Sequence, residues 1–212
     1  MCSGRVDLEF ILRAFFNGQD GVLIGGCRLD ECNYITHGNY DAWANTYLCK
    51  KIMGHIGINP ERLRIEFMSG ADGNLLADAT DDFTKKVKSL GPLGEDEGID
   101  VNTVKFKLEA AMKLVPYLRL VERERLRAPE KSKKAYTEFF ESSEVDRLFD
   151  EIFTEKLAVS QIMLLLKKKP LSTIDISERL GLNPSDVSKH MNSSSRHGLV
   201  RYDTTSKCYA LA

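Results

Sequence analysis

The chain has 212 residues, of which 42% are hydrophobic and 29% are charged, a composition typical of one large or two small globular domains. A formal net charge of −1 excludes a global electrostatic attraction to nucleic acid or to anionic membranes. The five cysteines form no tight framework, which argues against a disulfide-stabilised secreted protein. No apolar run approaches the roughly 20 residues of a membrane span, and we expect a cytoplasmic protein without a membrane partner.

The first part of the chain alternates helical and extended patterns. Residues 5–17, 39–55 and 74–90 place apolar side chains on one helical face. The apolar run 21–26 and the alternating run 63–68 are predicted strands. The order α-β-α-β-α with short connections predicts an α/β fold with a small open parallel sheet and flanking helices. The last of these helices is expected to turn inward Leu75, Leu76, Ala79, Phe83 and Val87.

Two strands are few for a parallel sheet that is covered on both faces. The sequence opens at Met1 and Cys2, where a strand would end and the first helix begin. We therefore expect that an N-terminal unit of one or two βα elements is missing, through a misplaced start, a processed product or its presence on another polypeptide.

Three cysteines stand at the ends of predicted strands. Cys27 and Cys32 follow the first strand and its two glycines, and their C-x4-C spacing also occurs in plant-type [2Fe–2S] proteins. Cys2 precedes the first helix at an equivalent junction. Because adjacent parallel strands end side by side, where open α/β sheets bind ligands, we expect the three thiols to converge. On spacing alone, unliganded thiols remain the alternative.

Residues 1–92 resemble the delta (iron–sulfur) subunit of methyl-viologen-reducing, coenzyme-nonreducing hydrogenases of methanogenic archaea. The matching stretches are CSGRVD-x-EFI (Cys2–Ile11), DGVLIGGC-x4-C-x-Y (Asp20–Tyr34), GNY-x-A (Gly38–Ala42) and GI-x-PERLR-x-E (Gly57–Glu66). The resemblance implies a small α/β domain that carries a [2Fe–2S] cluster. Family members carry further cysteines in an additional N-terminal unit, so at least one ligand is unaccounted for, and they usually have histidine where this chain has Asn33.

Carried over to this sequence, the resemblance implies that Cys2, Cys27 and Cys32 are the cluster ligands, since soft thiolates hold iron in both redox states. The backbone amides of Gly4, Gly25 and Gly26 are expected to donate to the cluster sulfurs and so to tune the reduction potential. The implied function is electron transfer from a hydrogenase, or a formate dehydrogenase replacing it, to a flavin-containing heterodisulfide reductase. The chain would be a non-catalytic component of that oxidoreductase complex, since no nucleophile–base pair is apparent.

Two further residues could be ligands on residue type alone. Cys49 lies inside a helix beside Leu48, which favours a buried structural thiol over the fourth ligand position. His37 lies near the thiols, but centres with histidine ligands use two of them, and an unliganded side chain is favoured.

Beyond residue 92 the sequence changes character. The segment 93–131 begins as an acidic, glycine-flanked linker and continues as a long helix over 100–127, which Pro116 is expected to kink. Residues 132–212 are predicted to form a separate, mainly helical domain. Its short helix at 172–182, the helix that follows and two alternating strands resemble the winged helix-turn-helix of ArsR-type bacterial and archaeal regulators.

The partner of this winged helix could be either nucleic acid or protein. Within residues 172–203, four side chains could face a groove and phosphates: Lys189, Ser193, Ser194 and Arg196. From residue 160 onward eight basic residues stand against four acidic ones, an excess of four, which is modest for a DNA-binding domain. The alternative function is therefore a redox-sensing, DNA-binding regulator, and a third interpretation is a cluster-free adaptor.

Overall fold

The computed structural model describes residues 2–34 and 38–212, which divide into two compact units, Met1–Glu151 and Ile152–Ala212. Within the first unit, short 3₁₀ turns at Ser3–Arg5 and Pro60–Arg62 accompany the following helices and strands: α1 (Leu8–Phe16), β1 (Val22–Gly26), α2 (Asn39–Ile56), β2 (Leu63–Phe67), α3 (Gly73–Leu90), α4 (Val101–Met112), α5 (Val115–Arg125) and α6 (Lys133–Phe140). Helix α7 (Ser143–Lys168) contains the boundary between the units. Within the described residues, every helix is too short or too polar to cross a bilayer.

Strands β1 and β2 pair in parallel, from Val22 opposite Leu63 to Gly26 opposite Phe67. The small parallel sheet and its flanking helices that the sequence predicts are confirmed. Helix α1 begins later than its apolar pattern predicts, because the Asp7 carboxylate accepts a hydrogen bond from the Glu9 amide and caps the first turn.

The core of the first unit lies where α1 and α2 pack beside the sheet. Leu12, Phe15, Ile52, Met53 and Leu63 are fully buried there. Burial of a side chain of this size contributes about 1.5–3 kcal/mol relative to exposure, so these two helices hold the strand ends in fixed positions.

Helix α3 departs from its predicted packing. Ala79 and Phe83 are buried, as expected, but Leu75 and Leu76 are 43% and 49% exposed, so the prediction that both point into the core is wrong. The helical spacing places Leu75 on the same stripe as Ala79 and Phe83. Periodicity identifies the apolar face of a helix, but not how far along that face the covering elements extend.

The predicted long helix over 100–127 is two helices. Lys113 and Leu114 separate α4 from α5, and Pro116 lies in the first turn of α5. Proline has no amide hydrogen, so a continuous helix would leave the carbonyl of Met112 without its partner, and the ring would crowd that carbonyl. The chain therefore breaks and restarts, with proline in a first-turn position that tolerates it.

A buried arginine joins three segments of the first unit. Arg62 is fully buried, and its Nε donates to Glu97 Oε1 at 2.7 Å. Burial would raise the pKa of Glu97, but Arg62 and the Asn59 amide hold that pKa below its usual value. The guanidinium also donates to four backbone carbonyls, those of Asp20, Leu90, Gly91 and Pro92. These bonds hold the acidic segment after α3 against the start of β1.

The second unit contains the end of α7, then α8 (Thr173–Leu180), α9 (Pro184–Arg196) and the antiparallel strands β3 (Val200–Asp203) and β4 (Cys208–Leu211). Ser172 and Asp175 form a reciprocal capping box at the start of α8. Gly181 ends that helix in the left-handed conformation, at φ 65°. This arrangement of two helices and a hairpin confirms the winged helix-turn-helix that the sequence predicts.

Candidate functional site

Cys2 precedes the 3₁₀ turn Ser3–Arg5, at the start of the described chain. Its side chain acts as the cap of that turn, because Cys2 Sγ accepts a hydrogen bond from the Gly4 amide at 3.4 Å. The turn brings this sulfur to 4.0 Å from Cys32 Sγ, across 30 positions of sequence.

Cys27 directly follows β1, and its thiol interacts with that of Cys32. Burial, followed by the hydrogen bond and the charge interaction with Cys32, raises the pKa of the Cys27 thiol. Burial would also raise the pKa of Cys32, but the backbone amides of Tyr34 and Asn39 and the two neighbouring thiols hold it below its usual value. The structure thus brings Cys2, Cys27 and Cys32 together, with Cys32 the most readily ionised of the interacting pair.

Two glycines make this approach possible. A Cβ on Gly38 would lie 2.5 Å from Cys32 Sγ and 2.4 Å from the carbonyl oxygen of Tyr34. A Cβ on Gly4 would lie 2.5 Å from the carbonyl oxygen of Gly38. These distances are too short for any side chain, so the turn that carries Cys2 and the loop that carries Cys32 meet only because both positions are glycine.

The loop between the strand and α2 is fixed by side chains that no ligand pattern in the sequence singles out. Asn39 is 1% exposed, and its Nδ2 donates to the carbonyls of Cys27 at 2.9 Å and Arg28 at 2.7 Å. Tyr40 Oη donates to Asp30 Oδ1 at 2.8 Å. In the sequence, only the GNY stretch of the family resemblance, Gly38–Tyr40, pointed to these side chains. Their role is to position the thiols.

A second anchor lies on the opposite side of the loop. Arg28 Nη2 contacts Asp72 Oδ2 at 2.7 Å, just before the first turn of α3. Asp72 also accepts from the Ser69 amide at 2.7 Å, so the carboxylate is itself held in place. The loop that carries Cys27 and Cys32 is therefore tied to both α2 and the start of α3.

The thiol geometry suits a tetrahedral thiolate centre. Two thiolates on one tetrahedral metal with bonds of about 2.3 Å lie about 3.8 Å apart, close to the 4.0 Å between Cys2 Sγ and Cys32 Sγ. A cavity of about 210 Å³, lined by Asp30, Cys32, Tyr34 and neighbours, opens beside Cys32. Among the described residues, however, no group of three or more Cys, His, Asp or Glu side chains is placed so that it could hold a metal ion.

The remaining candidate ligands do not complete the set. Cys49 is fully buried within α2, and burial raises its pKa far above the usual range of a thiol, which opposes a thiolate at that position. This burial agrees with the structural role predicted for it. His37 lies outside the described residues. Three sulfurs are thus available where a cluster of this type needs four ligands.

Comparison with known proteins adds two family matches. The family model of the methyl-viologen-reducing hydrogenase delta subunit matches residues 1–91, and that of the arsR family of bacterial regulatory proteins matches residues 158–202. The first match contains all three converging cysteines, and the second contains α8 and α9.

Relatives of the first unit belong to hydrogenases and heterodisulfide reductases. The iron-sulfur subunit of the F420-non-reducing hydrogenase of Archaeoglobus profundus is 45% identical over 91 residues, which are 43% of this chain and 66% of that protein. The vhu iron-sulfur subunit of the F420-non-reducing hydrogenase of Methanopyrus kandleri is 37% identical over 92 residues, 43% of this chain and 69% of that protein.

A longer relative is a component of the ferredoxin/F(420)H(2)-dependent CoB-CoM heterodisulfide reductase of Methanosarcina acetivorans, 44% identical over 96 residues. The match covers 45% of this chain but only 12% of that protein. The matched part of the chain therefore covers between about an eighth and about two thirds of the length of the relatives just described. The matches along the first unit show that this chain belongs to the methyl-viologen-reducing hydrogenase delta subunit family, and its second unit carries an ArsR-type helix-turn-helix.

Proposed function

We propose that the protein is a [2Fe–2S] electron-transfer subunit that accepts electrons from a hydrogenase or a formate dehydrogenase and passes them to a flavin-containing heterodisulfide reductase. The observation that carries this proposal is the convergence of Cys2, Cys27 and Cys32 beside a fixed loop. The relatives' names support both the chemistry and the partners, since they are iron-sulfur subunits of hydrogenases and components of heterodisulfide reductases.

Each residue of the site has a defined task in this proposal. The thiolates of Cys2, Cys27 and Cys32 would hold the cluster, which supplies one-electron transfer when bound. The Gly4 amide donates to Cys2 Sγ, and a donor to a ligating sulfur withdraws charge and shifts the reduction potential upward. Asn39 acts as a positioning residue, because it orients the Cys27 carbonyl without touching the sulfurs.

The fourth ligand would come from outside the described residues. It would belong to a partner protein or to another segment of the same polypeptide. The winged helix would then serve docking within the complex. The relatives' names favour electron transfer over a DNA-binding regulator, because they are components of enzyme complexes.

The direct test is to purify the full chain anaerobically with its co-expressed partner proteins and to measure iron and acid-labile sulfide. We expect about two iron atoms and two sulfides per chain, with a paramagnetic signal that appears on one-electron reduction. The Cys208→Ser variant is the control, since that thiol lies in β4 of the second unit. A complex that assembles without iron, or that holds only zinc, would refute the proposal.

Gly38→Ala is expected to lower the affinity for iron about tenfold without unfolding the first unit. The new methyl group would overlap Cys32 Sγ and the Tyr34 carbonyl, so the loop must retreat from Cys2. The measurement is the iron retained per chain against increasing concentrations of a chelator. Gly25→Ala is the matched control, because nothing lies within 4 Å of a Cβ built there. Equal iron retention by the two variants would show that iron binding does not depend on the close approach of the Cys2 turn to the Cys32 loop.

A further inference from the structure

Two of the converging thiols lie close enough to react with each other. Cys2 Sγ and Cys32 Sγ are 4.0 Å apart, although 30 positions separate them in the sequence. A disulfide bond is about 2.05 Å long, so the two sulfurs would have to approach by roughly 2 Å. Both side chains are only partly buried, which leaves room for that movement. A small adjustment of the two side chains would therefore allow a covalent link.

The backbone around the two thiols holds them near each other. A Cβ on Gly38 would lie 2.5 Å from Cys32 Sγ, so the Gly38 backbone packs directly against this sulfur. The carbonyl oxygen of Gly38 packs in turn against Gly4, which belongs to the turn that Cys2 caps. The Cys2 turn and the Cys32 loop are thus in contact through one residue. Two thiols that the backbone places together react at a high effective concentration.

A small oxidant has access to Cys32. This residue lines the cavity of about 210 Å³, whereas Cys49 is fully buried in α2. A water molecule occupies about 30 Å³ of the liquid, so the cavity has room for hydrogen peroxide. Cysteines that respond to oxidants are accessible and often stand next to a second cysteine that resolves the first oxidation product. Cys32 has the access, and Cys2 is the neighbouring thiol.

We propose that Cys2 and Cys32 form a reversible disulfide when the chain holds no cluster and meets a peroxide. The Cys32 thiolate attacks one peroxide oxygen; the O–O bond breaks, an S–O bond forms, and the departing hydroxide takes up a proton to become water. The deprotonated Cys2 sulfur then attacks the Cys32 sulfur, so that an S–S bond replaces the S–O bond and a second water leaves. Two thiols and one hydrogen peroxide give one disulfide and two waters.

The disulfide would govern when the site is able to take up iron. It converts two of the three proposed ligands into a form that is no longer a thiolate, and it keeps Cys32 from irreversible oxidation to the sulfinic acid. A dithiol reductant restores both thiols by exchange. The bond needs no cluster, so this inference goes beyond the iron–sulfur proposal. A chain that forms the disulfide but never binds iron would refute only that proposal.

Cys27 is the competing partner, since its thiol also interacts with that of Cys32. The loop between these two residues is anchored at the carbonyls of Cys27 and Arg28 and at the carboxylate of Asp30. It therefore resists the bending that a bond between its own two ends would need. A bond to Cys2 leaves those anchors in place, and we expect Cys27 to remain a free thiol.

The test is peroxide treatment of the full-length, reduced and iron-free chain, followed by a count of free thiols and by peptide mapping without reductant. We expect two of the five thiols to be lost and to return after treatment with dithiothreitol. Trypsin cleaves after Arg5 and Arg28, which places Cys2, Cys27 and Cys32 on three separate peptides. The expected product is peptide 1–5 linked to peptide 29–50.

A variant removes the one ambiguity of this map. Peptide 29–50 also contains Cys49, so the mapping is repeated with Cys49→Ala, which should form the same link because that thiol is fully buried. A link between Cys27 and Cys32 would overturn the proposal. So would a sulfinic acid on Cys32 that accumulates while Cys2 stays reduced, or a link that forms only after the chain is unfolded in denaturant.

Two glycine variants test the geometry through the rate of disulfide formation. Gly38→Ala is expected to slow the loss of the two thiols at least about tenfold, because the new methyl group would displace the Cys32 sulfur from Cys2. Gly25→Ala is the matched control, since nothing lies within 4 Å of a Cβ built there. Equal rates in the two variants would show that the contact between the Cys2 turn and the Cys32 loop does not drive the reaction.

Discussion

Arg62→Met is expected to lower the free energy of unfolding of the first unit by about 3–5 kcal/mol. The replacement leaves Glu97 buried, at 4% side-chain exposure, without its cation. It also leaves four backbone carbonyls without the donor that satisfies them. Methionine fills much of the volume of arginine. The loss of stability is therefore due to unpaired polar groups rather than to a cavity.

The measurement is urea unfolding followed by the fluorescence of Trp43, which reports on the first unit because it is the only tryptophan in the chain. Arg64→Met is the matched control two residues away. Arg64 pairs with Glu66 and Asp82, each at 2.6 Å, but its side chain is 34% exposed. Solvent-accessible pairs of this kind contribute about 0–1 kcal/mol. Equal unfolding midpoints for the two variants would show that the buried arginine does not hold the segments together.

A double-variant cycle separates the Arg62–Glu97 pair from the carbonyl contacts. If the ion pair accounts for most of the lost stability, Glu97→Gln should lower the free energy of unfolding much less in the Arg62→Met background than in the native chain. In the double variant neither charge remains buried alone. If the carbonyls dominate, the two losses should add. Glu97 also accepts from the Gly94 amide at 2.9 Å, so a part of its effect is expected to persist in either case.

The site was predictable from sequence as far as strand topology reaches. Cys27 follows β1 directly, as the strand pattern predicts, but no described strand ends at Cys2, which stands before the turn Ser3–Arg5. The distance between Cys2 and Cys32 depends instead on Gly4 and Gly38, which make room for each other across 34 positions. No local pattern links two glycines so far apart, and only the family resemblance drew attention to either stretch.

Buried polar residues were the least predictable part of the fold. Arg62 stands in a PERLR sequence with the composition of a solvated turn, yet it is fully buried, whereas Leu75 and Leu76 have an inward helical spacing and are exposed. Sequence pattern reports the average preference of a residue type. Whether a particular arginine has enough acceptors to be buried depends on loops that meet only in the folded chain.

The winged helix was predictable because its boundaries are marked locally. Ser172 and Asp175 cap α8, Gly181 ends it, and Asn183 caps α9 through the Ser185 amide. Each signal lies within a few residues of the boundary that it sets, so no distant contact is needed. What such a domain contacts depends on exposed side chains, which these capping signals do not constrain.

Cys32→Ser is expected to reduce cluster iron in the assembled complex at least about tenfold. Cys32 Sγ lies 4.0 Å from Cys2 Sγ, and the pKa of Cys32 is held below its usual value, so its loss removes a readily formed thiolate from the site. Serine has nearly the same shape, but its hydroxyl is a hard ligand that ionises far less readily. Iron, acid-labile sulfide and the signal of the reduced cluster are measured after anaerobic purification.

Cys49→Ala is the control for Cys32→Ser, and it also tests the alternative fourth ligand. Cys49 is fully buried in α2, so its replacement should cost a little stability through the lost volume and leave cluster iron unchanged. Loss of iron in both variants would assign Cys49 to the cluster and require α2 to open. Retention of iron in Cys32→Ser would remove the central sulfur from the site, and with it the physical basis for electron transfer through these thiols.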